Sequence, residues 1–102
     1  MPSISAFSSG DTIRFTATFA VGGVNSTPNT AITFRTKNPN GVVASYVYNT
    51  DSELLTSGDG VFYIDLTLNL PGEHHYRWEG SGSIAPGASE GVIRINRSNV
   101  IM

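Results

Sequence analysis

Four stretches of this chain alternate apolar and polar residues with a period of two, and that period confines the fold to β structure. In DTIRFTATFA, residues 11–20, Ile13, Phe15, Ala17 and Phe19 share one parity, and Thr12, Arg14, Thr16 and Thr18 share the other. Successive side chains of a strand point to opposite faces, so this run has one apolar face and one wet face. AITFRTK sets Ile32 and Phe34 against Thr33 and Arg35. VFYIDLTLNL sets Phe62, Ile64, Leu66, Leu68 and Leu70 against Tyr63, Asp65, Thr67 and Asn69, and GVIRIN sets Ile93 and Ile95 against Val92 and Arg94. No helical period of useful length and no internal repeat is present.

Turn signals separate these runs. NPNG joins AITFRTK to VVASYVYN, and its Pro39 and Gly41 suit a tight turn ending in a left-handed residue, which predicts a hairpin. Gly22, Gly23 and Pro28 mark a loop, Asp59-Gly60 and Pro71-Gly72 mark turns, and residues 50–60 form a polar connection whose Leu54 and Leu55 can tuck against the core. Residues 81–91 read as the longest flexible loop. Short strands at this spacing in 102 residues predict an all-β fold, an immunoglobulin-like antiparallel β-sandwich of about seven strands, with a small barrel as the competing architecture. A chain of this length fits one domain, residues 1–102, that buries roughly two thirds of its unfolded surface. Residues 1–10 are expected to be an N-terminal arm and residues 97–102 a C-terminal tail.

LPGEHHYRWEG, residues 70–80, concentrates the reactive side chains. On a strand, His74, Tyr76 and Trp78 share one face, and Glu73, His75, Arg77 and Glu79 the other. Adjacent histidines on a strand point apart and cannot chelate one ion together, and no H-x-H spacing occurs. The inner set belongs to the core or its margin, and the outer set is a solvated or interfacial run of alternating charge. Glu73 and Glu79 lie about 20 Å apart on one strand, too far for a glycosidase pair. No G-x-S-x-G elbow is present. Asp51, Glu53 and Asp59 do not match the spacing of an EF-hand loop. Neither catalytic residues, nor a cofactor, nor a metal site is expected.

Composition removes further classes. The net charge is −2, and the six basic residues are scattered singly, leaving no electrostatic footprint for nucleic acid. Without cysteine the chain has no disulfide framework and no thiolate. The stretch MPSISAFSSG lacks the basic and apolar regions of a signal peptide, and no apolar run reaches membrane-spanning length, so synthesis in a cytoplasm and no membrane partner are expected. Charged residues make up only 14%, and polarity comes instead from Ser, Thr and Asn. A neutral polar surface of this kind is cheap to desolvate in a permanent contact.

GDTIRFTATF, TAITFRTKNPNGVVASYVYN and GDGVFYIDLTLNLPGEHHYRWEG together resemble small immunoglobulin-like structural proteins of tailed bacteriophages and prophages. The shared features are a Gly-Asp opening to the first strand, a P-x-G turn (Pro39, Gly41), a G-x-[FY] strand (Gly60, Phe62) and a P-G turn leading to Y-x-W (Pro71, Gly72, Tyr76, Trp78), spanning residues 10–96. The resemblance implies a non-enzymatic virion protein, a decoration, head–tail connecting or tail-associated subunit whose partners are capsid or tail subunits or further copies of itself. For the contact, the candidates are Ile84, Pro86 and Gly87 in the long loop, and Val100, Ile101 and Met102 at the apolar C-terminal tip. A glycan-binding or adhesive module is the second expectation. For it, Tyr46 and Tyr48 form a stacking platform if their shared face is exposed, and pack into the core otherwise.

Overall fold

A computed structural model describes residues 5–28 and 30–97. Most of these residues lie in strands and none in a helix, so the chain is all-β as its alternation dictates. The strands are β1 (Ser5–Ser8), β2 (Thr12–Thr18), β3 (Ala20–Val21), β4 (Val24–Asn25), β5 (Ala31–Lys37), β6 (Val43–Val47), β7 (Leu54–Gly58), β8 (Val61–Thr67), β9 (Gly72–Ser81) and β10 (Gly87–Asn96). A five-stranded sheet has the order β1-β10-β9-β5-β6, a three-stranded sheet the order β2-β8-β7, and β3 and β4 form a two-stranded ribbon. All pairs are antiparallel except β1, which runs parallel to β10 with Phe7 opposite Ile95.

The two larger sheets bury their apolar faces against each other. From the three-stranded sheet and its continuation come Ile13, Phe15, Ala17, Phe19, Leu54, Phe62 and Ile64; from the five-stranded sheet come Ile32, Phe34, Trp78, Ile93 and Ile95. Phe15 bridges the layers, with its ring 5.1 Å from Phe34 and 5.0 Å from Tyr76. Offset and edge-on aromatic contacts of this kind contribute about 0.5–1.5 kcal/mol beyond area burial. Phe19 lies against Gly80, where an added Cβ would come within 2.7 Å of its ring.

The turns follow their chemistry. Between β5 and β6, the Asn38 side-chain oxygen accepts hydrogen bonds from the backbone N–H of Asn40 (2.9 Å) and Val42 (3.0 Å). Gly41 there takes φ +84°, the left-handed residue that the NPNG sequence calls for.

Ten strands replace the expected seven or so, and the additions share one physical character. β1 lies in the segment expected to be an arm, and β3 and β4 lie in the expected Gly22-Gly23 loop. β7 occupies the expected polar connection. Each is short and sends few apolar side chains inward; β7, with its register shift between Thr56 and Gly58, buries Leu54 alone. β10 begins at Gly87, so the expected loop of residues 81–91 shrinks to residues 82–86. GASEG has no apolar alternation, yet its backbone pairs with β9 from Gly87 opposite Gly80 onward.

Candidate interaction surfaces

The outer face of the five-stranded sheet gathers half of the charged residues. Register places Arg94 opposite Glu73, Glu90 opposite Arg77, and Arg35 of β5 opposite Arg77 as well. Two guanidinium groups directly opposite each other repel. Glu79 answers both, forming an ion pair with Arg35 and lying 3.6 Å from Arg77 Nε, while Arg77 also pairs with Glu90 and Arg94 reaches Glu73 at 3.1 Å. These side chains are partly exposed, so each pair contributes about 0–1 kcal/mol. Their arrangement favours one register more than it adds stability. It also engages the acids: Glu73, Glu79 and Glu90 each meet an arginine.

The two histidines separate as the strand period requires. His74 is buried at 4% exposure, and its Nε2 donates to the Leu70 carbonyl at 2.8 Å, tying β9 to the Pro71-Gly72 turn. His75 is exposed on the opposite face. Asp51 caps the end of β6 by accepting from the Val47 N–H at 2.8 Å, and Asp59 lies in a different turn. Among the described residues, no group of three or more His, Cys, Asp or Glu side chains is gathered in a metal-ligating arrangement.

The outer face of the smaller sheet has one ordered charge pair. Arg14 Nε and Nη2 donate to the two Asp65 oxygens at 2.9 and 3.0 Å, and its guanidinium lies 4.2 Å from the centre of the Tyr63 ring. Hydrogen bonding from Arg14 holds the Asp65 carboxyl below its ordinary value, outweighing the upward effect of desolvation, and the Arg14 charge adds to the lowering. A lowered folded-state value adds stability that is fully present above the unfolded value, about 3.9 for Asp, and is lost as pH falls through the folded one. Asp65→Asn is therefore expected to be less stable than the parent at neutral pH, with the gap closing below about pH 4. Urea melts of both proteins at a series of pH values measure that gap; a gap that widened in acid would contradict the pairing.

Three of the six exposed large apolar side chains, Val21, Val24 and Ile84, lie at one end of the paired sheets; Val42 and Val43 lie at the β5–β6 turn and Leu55 on β7. The β3–β4 ribbon presents Val21 (53% exposed) and Val24 (67%) on either side of Gly22-Gly23, and the β9–β10 loop presents Ile84 (51%). Between the bases of these two loops lies a cleft of about 230 Å³ lined by Ala17, Phe19 and Ala20 on one side and Ala85, Pro86 and Ala88 on the other.

Of the candidate contact residues, Ile84 and Pro86 are exposed on the loop. Gly87 belongs instead to β10, with its backbone in the ladder. Val100, Ile101 and Met102 lie outside the described residues. Val21 and Val24 were not among the candidates, although two valines flanking Gly-Gly in an otherwise polar loop are their sequence signal. Tyr46 and Tyr48 take the core-packing alternative: both are partly buried, Tyr46 beside Phe34 at 6.5 Å and Tyr48 edge-on to Phe62 at 5.0 Å. Comparison of the chain with family models, curated proteins and solved structures gave no match.

Proposed function

We propose that this chain is a non-enzymatic structural subunit of a tailed-phage particle, made in the host cytoplasm and assembled into the virion. In this reading it is an immunoglobulin-like sandwich that binds capsid or tail proteins through the loop end of its two sheets. The observation that carries the reading is the loop end itself: most charged side chains on the sheet faces are paired with one another, whereas Val21, Val24 and Ile84, half of the six exposed large apolar side chains, are exposed together on loops at one end of the sheets. Apolar loop residues at one end of a rigid scaffold suit a permanent protein contact. Strand order supports the immunoglobulin-like assignment: β2, β8 and β7 correspond to strands B, E and D, and β5, β9 and β10 to C, F and G, with β6 added beside C as in variable-type domains. The phage context rests on the sequence resemblance of residues 10–96.

Co-sedimentation with purified heads and tails of the source phage tests this. The parent chain is expected to bind saturably, and the double substitution Val24→Asp, Ile84→Asp to weaken binding by about tenfold or more with an unchanged melting temperature. Undiminished binding by the double variant, or a parent chain that ignores the particles, would sink the proposal.

A further inference from the structure

Strand β6 is the least protected edge among the described residues. A sheet edge invites pairing unless it is very short, charged, bulged or interrupted by proline. β2 carries Arg14 at its third position, β7 is bulged between Thr56 and Gly58, β1 has four residues, and β3 and β4 have two each. β6, with sequence VASYV, has no charge, no proline and no bulge; its first residue, Val43, is 57% exposed and the preceding Val42 61%.

Its free backbone groups can be located residue by residue. Tyr48 N–H donates to Ile32 and Asn38 N–H donates to the Val42 carbonyl, each at 3.0 Å, so the even-numbered residues of this segment bond to β5. Antiparallel ladders alternate, and Val43, Ser45 and Val47 therefore turn their N–H and C=O groups outward. Val47 is already satisfied: its N–H donates to Asp51 Oδ2, and its carbonyl accepts from the N–H of Thr50 and Asp51. Val43 and Ser45 remain.

We infer that β6 pairs antiparallel with β6 of a second copy across a two-fold axis at Ala44, joining two five-stranded sheets into one. In that register, Val43 faces Ser45 of the second copy and each exchanges two backbone hydrogen bonds with the other, so the free groups of one chain are matched by those of its twin. This is the self-complementarity that a two-fold interface requires. Exposed Val42 comes opposite Tyr46 of the second copy. Val47, with its capping turn, comes opposite Gly41, which has no side chain to collide. A foreign strand would gain only this same short ladder, because the Asp51 cap blocks extension past Ser45, and it would lack the symmetry that satisfies both edges at once. Charge does not oppose the pairing: Lys37 and Arg35 of the second copy sit three strand spacings apart, about 14 Å, beyond the Debye length of about 8 Å at physiological ionic strength.

The test uses the purified chain without any particle, so its outcome is separate from the virion reading. Light scattering over micromolar to millimolar concentration is expected to approach twice the 10.9 kDa chain mass, and Ser45→Pro to hold the single-chain mass throughout. Proline there removes an outward N–H that the β5–β6 ladder does not use, and a melting curve confirms that the variant is folded. Should it fail to fold, cysteine variants decide the matter, since the chain has no cysteine of its own. The two Ala44 residues would face each other as a non-hydrogen-bonded pair about 4.5 Å apart, so Ala44→Cys should oxidise to a covalent dimer. Two Val47 residues would be about 20 Å apart, and Val47→Cys should stay reduced. A parent chain that is monomeric at millimolar concentration, a dimer that survives Ser45→Pro, or equal crosslinking of the two cysteine variants would overturn the inference.

Discussion

Trp78→Ala is expected to lose about 3–5 kcal/mol of folding stability, the largest loss from any single truncation in this core. Trp78 sits within β9 at 1% exposure, opposite Phe34 of β5, with the two rings 4.6 Å apart. Phe34 in turn touches Phe15 of the facing sheet, so the cavity would open against both layers and neither could close over it without moving the other. A domain of this size has a total stability of about 5–15 kcal/mol, which makes such a loss about a fifth of the whole or more. Trp78→Phe separates packing from polarity. The indole Nε1 is buried with no hydrogen-bond partner among the described residues, so removing that donor forfeits no bond, and the expected cost falls to about 1–2 kcal/mol for the smaller ring. Urea denaturation midpoints with an unchanged slope measure both. Equal losses for the two substitutions would mean that the indole N–H, rather than ring volume, holds the site.

Gly60→Ala is expected to cost about 3 kcal/mol or more, from two effects acting together. Gly60 has φ +74°, in the left-handed region that side chains disfavour. An added Cβ would also collide with the Phe19 carbonyl oxygen and lie 2.8 Å from both N and O of Ser26. These obstacles are backbone atoms held by hydrogen bonds: Phe19 N–H donates to Gly60 O at 2.7 Å, Ser26 N–H to Phe19 O at 2.9 Å, and Gly60 N–H to Thr27 Oγ1 at 3.0 Å. Relief would require the end of β2, the β3–β4 ribbon and the β7–β8 turn to shift together. Gly22→Ala is the control. Gly22 has φ +57° but nothing within 4 Å of its Cβ position, so it should lose only about 1 kcal/mol from conformation. Similar losses at the two glycines would show that close approach at Gly60 contributes nothing.

The core was legible because a strand has only two faces. Parity alone placed Ile13, Phe15, Ala17 and Phe19 inward, and all four are buried; it likewise paired Ile32 with Phe34, Phe62 with Ile64, and Ile93 with Ile95. It also set His74 and His75 on opposite sides. Parity does not reveal which strands are neighbours. That β9 lies between β5 and β10, with Arg35 facing Arg77, depends on contacts between residues some forty positions apart, and the shared use of Glu79 by two arginines could not be foreseen from spacing. Segments held mainly by backbone pairing left little apolar signature, with Phe7 alone packing from β1 and Leu54 alone buried in β7, which is why β1, β7 and the first half of β10 read as arm, connection and loop. At the loop end, local flexibility made Ile84 and Pro86 candidates for the proposed contact, and both are exposed. Val21 and Val24 were missed because a Gly-Gly pair reads as loop whether or not the valines beside it face solvent.

Amide hydrogen exchange of the chain, free and mixed with tailed-phage particles, is the most direct test of the proposed assembly role. The account predicts added protection concentrated in residues 20–25 and 82–86, with the outer faces of both sheets exchanging as in the free chain. Protection confined to the sheet faces, or identical exchange in the presence of particles, would contradict it.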